Sequence, residues 1–205
     1  MTVTLFGIKF EISFPLVAIM TAVIILDTSR TILICFTAAI IHESGHITAL
    51  GLFRSYPERI KLTLFDAAII DRKKALRSRG KQLVVTLGGI IYNVLSIPVL
   101  YLIYRLTGAA FTKELIYANI TLAVFNSLPV YSLDGGEALL IILSRFFDTN
   151  KANNIVDLVS FIVLLPIEII GFMVLLRSIY NFTLLLSGIY LMCLLIYKRK
   201  KRIVI

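Results

Sequence analysis

Charge is scarce in this chain of 205 residues: Asp, Glu, Lys and Arg together make up 16% of it, whereas 59% is hydrophobic. Soluble domains carry about a quarter charged residues. The scarcity, with a mean hydropathy of +0.92, excludes an ordinary soluble globular protein and points to a chain that crosses a bilayer several times. Acidic residues are the scarcer sign, 12 against 21 Lys and Arg, which leaves a net charge of +9. The basic residues flank apolar runs, where the positive-inside rule accounts for them, so nucleic acid is not an expected partner. No basic segment precedes the first apolar run, and no cleavable signal peptide is expected. The two cysteines, Cys35 and Cys193, lie within apolar runs and read as small buried hydrophobes; they say nothing of the redox compartment. Neither an internal repeat nor a low-complexity segment is present, and the chain reads as one membrane domain, 1–205, with no soluble module.

What is present is a series of apolar runs. Residues 1–14 alternate apolar and polar side chains around Gly7, the pattern of a short hairpin or interfacial strand. Apolar runs at 15–26, 31–53, 83–106, 155–176 and 179–197 read as transmembrane helices, the fifth span bent at Pro166, with a polar linker over 145–154. The stretch 114–147 is too long and too interrupted for a simple helix, because Pro129, Asp134, Gly135 and Gly136 break it. Irregular backbone at membrane depth survives only where protein or a wet cavity surrounds it, so the break itself argues for a polar site. The loop 54–81 is basic, and Ile60 to Ile70 alternates well enough to add strands beside the N-terminal segment. The fold expected is an all-α membrane protein with six transmembrane helices and a small membrane-associated β-sheet, followed by the basic tail 198–205. The loop 54–81 and the tail should both face the cytoplasm. Counting 114–147 once, an even number of crossings separates them, and two more put the N-terminus on that side: a multi-pass protein of the cell membrane with both termini cytoplasmic. The basic clusters 72–81 and 198–202 are expected to touch anionic lipid headgroups.

Histidine is as rare as cysteine and more informative. The chain holds two, His42 and His46, in the stretch His42-Glu43-Ser44-Gly45-His46. Helical residues four apart share a face, so both imidazoles can address one metal ion. Glu43 lies beside them, placed to take a proton from a metal-bound water. A zinc site of this kind needs a third protein ligand, and the best candidate is Asp134 in Ser132-Leu133-Asp134-Gly135-Gly136; its alternative role is a helix N-cap after a turn. His46 precedes Phe53 by seven residues, so an ion there would lie roughly 10 Å below the surface at about 1.5 Å per residue. Glu168, mid-span near Pro166, reads either as a protonated or paired carboxylate or as a gate for substrate.

The His-Glu-x-x-His stretch, then Gly88-Gly89-Ile90-Ile91-Tyr92-Asn93, then Asn126-Ser127-Leu128-Pro129-Val130-Tyr131-Ser132-Leu133-Asp134-Gly135-Gly136, resemble in order and spacing the site-2 protease family of intramembrane zinc metalloproteases. The likeness runs over roughly residues 5–195, and the form without an accessory domain is similar to the stage IV sporulation protein FB type. The resemblance implies His42, His46 and Asp134 as ligands of one zinc per chain and Glu43 as general base. It implies Asn93 and Asn126 as residues that hold the substrate strand or the developing oxyanion; hydrogen bonding between helices is their alternative reading. The implied activity is hydrolysis of a peptide bond in or near the transmembrane segment of a membrane protein or peptide. The implied partners are a single-span substrate, the anionic bilayer surface and a regulatory membrane protein. Two positions depart from the family's common pattern: Ile90 and Ser132 stand where many members have Pro. The strand region around 64–70 also lacks the glycines usual there. Members of the sporulation type often carry a C-terminal nucleotide-sensing domain, and an end at Ile205 argues against that mode of regulation. The rival reading is a zinc-binding transporter or an inactive scaffold. Against it, the polar residues converge on the middle of two helices, and no candidate ligand or base is missing.

Overall fold

The structure, a computed structural model, describes residues 2–5, 8–26, 29–55, 59–62, 67–70, 77–177 and 183–203. The first half of the basic run 72–81, residues 63–66 and Ser178 lie outside them. The chain divides into two compact units, Met1–Ala123 and Val124–Ile205.

The first unit begins with four short strands, β1 (Thr2–Leu5), β2 (Ile8–Ile12), β3 (Arg59–Leu62) and β4 (Ala67–Ile70), in the order β1-β2-β3-β4. The outer pairs are antiparallel; β2 and β3 run parallel, with Phe10 opposite Ile60. A parallel pair needs a long crossover. Here two helices supply it, α1 (Phe14–Leu26) and α2 (Thr31–Leu52). The unit continues through α3 (Arg79–Thr107) and the greater part of α4 (Ala110–Asn126). Between them α3 stops at Gly108, whose φ of 65° lets its N–H bond back to Tyr104 O at 2.8 Å. A left-handed closing residue of this sort favours glycine because no Cβ is in the way.

Helices α2 and α3 approach backbone to backbone. A Cβ on Gly45 would collide with the Gly88 carbonyl, and one on Gly88 would lie 2.8 Å from Gly45 O. Small residues permit this contact, and in lipid, where apolar side chains gain little by leaving the acyl chains, such packing is what binds helices. On another face of α2, Ile34 and Ala38 pack on Leu115 of α4.

The second unit opens with an irregular turn, residues 127–133, and continues as α5 (Asp134–Leu143), α6 (Thr149–Arg177) and α7 (Thr183–Ile203). The turn's backbone finds partners inside the unit: Val130 N–H donates to Leu128 O and Leu133 N–H to Val130 O, both at 2.8 Å. Tyr131 N–H donates to Ser160 Oγ at 2.8 Å. Val130 is fully buried against Leu164, Leu191 and Leu195. One boundary differs from the sequence expectation. Helix α6 starts at Thr149, inside the expected linker, because Asp148 can cap it: Ala152 N–H bonds to Asp148 O at 2.9 Å, and Lys151 N–H reaches its carboxylate at 3.4 Å. The same helix runs through Pro166 to Arg177 as one element.

Among the described residues, three helices, α2, α3 and α6, with 22, 29 and 29 residues, are long and apolar enough to cross a membrane. A shorter apolar stretch covers Leu184–Tyr197 of α7. Their outer faces are apolar and uncovered: Leu95, Val99 and Leu102 of α3 and Leu158, Ile162 and Ile169 of α6 are all at least half exposed. In water so much exposed apolar area would drive aggregation. These are the surfaces of a membrane protein.

Candidate metal centre

Both histidines belong to α2, one helical turn apart, and both are buried, His42 at 5% and His46 at 8% exposure. Their ring centroids lie 4.9 Å apart at an interplanar angle of 80°. His46 Nδ1 sits 2.8 Å from Val85 O. A carbonyl can only accept, so Nδ1 carries a hydrogen, and in the neutral ring Nε2 then holds the lone pair. His42 Nδ1 sits 2.6 Å from Asn93 Oδ1, again an acceptor, with the same consequence. The two Nε2 atoms then face each other at 3.2 Å. With both rings neutral, two lone pairs at that separation repel, and a cation between them would turn the repulsion into attraction.

The donor set fits a zinc ion. Zinc–nitrogen bonds of about 2.0–2.1 Å to both Nε2 atoms, with those atoms 3.2 Å apart, subtend roughly 100–105°, near the tetrahedral value. Nδ1–H donation to a carbonyl or amide oxygen is also the usual support of a metal-bound imidazole. Room for the rings comes from α3: a Cβ on Gly89 would lie 2.5 Å from His42 Cε1 and 2.6 Å from each Nε2. Among the described residues, one group of His, Cys, Asp or Glu could hold a metal: His42, His46 and Asp134.

Asp134 is the first residue of α5, and the capping position before it is Leu133, whose C=O accepts from Gly136 and Glu137 N–H at 3.1 Å each. The alternative of an N-cap role for Asp134 therefore does not hold. Its two following glycines have a steric reason. A Cβ on Gly135 would meet the Ser127 and Leu128 carbonyls, and one on Gly136 would collide with Val130 O, so only glycine lets the turn fold over the start of α5.

Glu43 is exposed on α2, next to the buried His42 in sequence but on a different face. Asn126 is the half-buried last residue of α4. Asn93 is wholly buried at 0% exposure, with its Nδ2 donating to Asn119 Oδ1 at 2.7 Å. The structure thus gives Asn93 a contact with His42 that the sequence reading did not anticipate. It also adds Val85 O, Gly89 and Asn119. Of these Asn119 had a readable signal, an amide in the apolar run Tyr117-Ala118-Asn119-Ile120, since polar side chains in such helices are seldom idle.

No protein-family model and no curated protein sequence matches the chain. Among solved structures it is similar to the site-2 protease from Methanocaldococcus jannaschii, with a TM-score of 0.61 and 19% identity over 93% of this chain and 92% of that one. Likeness at that identity establishes a shared fold.

Proposed function

We propose that this protein is an intramembrane zinc metalloprotease, hydrolysing a peptide bond in or near the transmembrane segment of a membrane protein or peptide. One observation carries the reading. Two imidazoles, each with Nδ1 at an acceptor oxygen, bring their Nε2 atoms to 3.2 Å from each other in a chain that shares the fold of a site-2 protease. The grouping of Asp134 with them supports a His₂-carboxylate ligand set for one zinc, which leaves a coordination position open. When bound, the ion supplies Lewis acidity toward a peptide carbonyl and makes water acidic enough to lose a proton near neutral pH.

The rest falls to the chain's own groups. Glu43 is assigned as the general base: its carboxylate accepts the proton of the attacking water and returns it to the leaving amine. A substrate helix hides its carbonyls in its own hydrogen bonds and must open locally. The strands β1 and β4 are the two edges of the sheet and offer unpaired backbone to an extended segment. Asn126 is assigned to the substrate strand or the oxyanion. The six crossings, the cytoplasmic termini, the contact of the basic clusters with anionic lipid and control by a membrane partner belong to the same proposal.

Incubating the purified protein with single-span membrane substrates, with and without chelator, tests it. Cleavage should stop on chelation and return with zinc. Glu43→Gln should lower turnover by roughly 10²–10⁴-fold, the range of general acid–base catalysis, while zinc remains at one per chain. Cleavage that survives both zinc removal and Glu43→Gln would end the proposal.

A further inference from the structure

A row of buried amides links His42 to a helix that carries none of the proposed ligands. His42 Nδ1 meets Asn93 Oδ1 at 2.6 Å, Asn93 Nδ2 meets Asn119 Oδ1 at 2.7 Å, and Asn119 Nδ2 meets Leu115 O at 2.8 Å. The row joins α2, α3 and α4, and both asparagines are 0% exposed. Its direction is forced from the far end. Leu115 O can only accept, so Asn119 must turn its NH₂ there and its oxygen toward Asn93. Asn93 must then answer with its NH₂, which leaves its own oxygen for His42. An oxygen facing Nδ1 requires a hydrogen on Nδ1, which in the neutral ring selects the Nδ1–H tautomer. One side contact holds the same polarity: Asn93 Nδ2 also faces Ala38 O at 3.4 Å. His46 Nδ1 is held directly by a backbone carbonyl, Val85 O.

We infer that Asn119 is a positioning residue for the metal centre, setting the tautomer and ring orientation of His42 through Asn93. Asn93 thereby acts on the imidazole rather than on substrate: its oxygen goes to His42 and its NH₂ to Asn119 and Ala38. The inference rests on the zinc reading for its consequence, but the tautomer itself can be read without metal.

The test joins a spectroscopic measurement with a double-mutant cycle. In chelator-treated protein labelled with ¹⁵N-histidine, only two imidazoles contribute, and a His46 variant assigns them. His42 should show a protonated Nδ1 and an unprotonated Nε2, and Asn119→Leu should convert it to a mixture of tautomers. Zinc affinity, read by chelator competition, should fall roughly 10- to 100-fold in Asn119→Leu, the usual effect of losing a partner behind a metal-binding imidazole. Asn93→Asp keeps an acceptor on Nδ1 but no longer needs Asn119 to orient it, so adding Asn119→Leu to it should cost almost nothing further. An equal loss in both backgrounds, or an unchanged His42 tautomer in Asn119→Leu, overturns the inference. If Asn119→Leu fails to fold, Asn119→Ser enters the same cycle with the same readings. Wild-type protein that shows the Nδ1–H tautomer but binds no zinc would overturn the metal reading and leave the relay standing.

Discussion

Gly89 contributes no side chain to the candidate centre, and its lack of one shapes the site. A methyl there would press on His42 Cε1 at 2.5 Å and on both Nε2 atoms at 2.6 Å, the atoms that would face an ion. Neither ring can simply turn away, because each Nδ1 is held, by Asn93 and by Val85 O. Gly89→Ala is therefore expected to impose about 1–3 kcal/mol of overpacking. Placed on the bound geometry, that weakens zinc binding roughly 5- to 150-fold at 1.36 kcal/mol per tenfold. Chelator competition measures it, and unchanged zinc affinity in a folded variant would show that the rings have freedom the hydrogen bonds deny them. At this scale the sequence discloses residue types better than partners. The spacing of His42 and His46 states that they share a helix face, and their rarity states that they matter. Nothing in Gly88-Gly89-Ile90-Ile91-Tyr92-Asn93 tells whether the asparagine faces substrate or an imidazole, because that depends on the depth at which α3 passes α2. That depth is set by the collision of Gly45 with Gly88, a contact across sequence.

At the scale of elements, the seam between α2 and α3 makes an opposed pair of predictions. Gly45 has no space: its Cβ would strike the Gly88 carbonyl oxygen and lie 2.7 Å from Gly88 C and 2.8 Å from Tyr92 Cβ. Backbone atoms cannot swing aside, so Gly45→Ala should separate the helices and destabilise the protein by about 1–3 kcal/mol. Gly80 is also helical, in the first turn of α3, but nothing lies within 4 Å of its Cβ position. There alanine only removes backbone freedom, and Gly80→Ala should stabilise by up to about 0.5–1 kcal/mol. Thermal melting of the two variants in one detergent checks both signs; a Gly45→Ala protein as stable as wild type would mean that the seam is looser than the contact distances say. Elements of this kind are legible in part. Long apolar runs disclose α2, α3 and α6 because hydropathy integrates over many residues. Their ends are less legible, since a start such as Thr149 depends on one capping residue, Asp148. The broken segment is intermediate: Pro129 and the glycines announce an interruption, but that a helix resumes at Asp134, with Leu133 and not the aspartate at its cap, follows from where the turn's carbonyls lie.

For the molecule as a whole, the distribution of charge makes a prediction that the helices alone do not. Lys and Arg exceed Asp and Glu by 21 to 12, and they gather in the loop 54–81 and in Lys198-Arg199-Lys200-Lys201-Arg202. Transferring such a cluster across a bilayer is costly, and short basic loops stay on the cytoplasmic side. An even number of crossings must then separate the two clusters, which requires that 114–147, interrupted over 127–133, traverse once rather than turn back. The alternative, a segment that re-enters and leaves on the same face, makes the count odd and puts the tail outside. Single cysteines decide between them, in a background where Cys35 and Cys193 are replaced. Placed at Lys74, at Lys201 and near the N-terminus, at Thr2, they should all resist a membrane-impermeant thiol reagent in intact cells and react once the cells are opened. Cysteines at Thr28 and Gly108, in the connections that the same count places outside, should react in intact cells. Labelling at Lys201 with protection at Lys74 would reverse the second half of the chain relative to the first bilayer face. The single traverse of 114–147 would then be wrong, and with it the six-crossing arrangement.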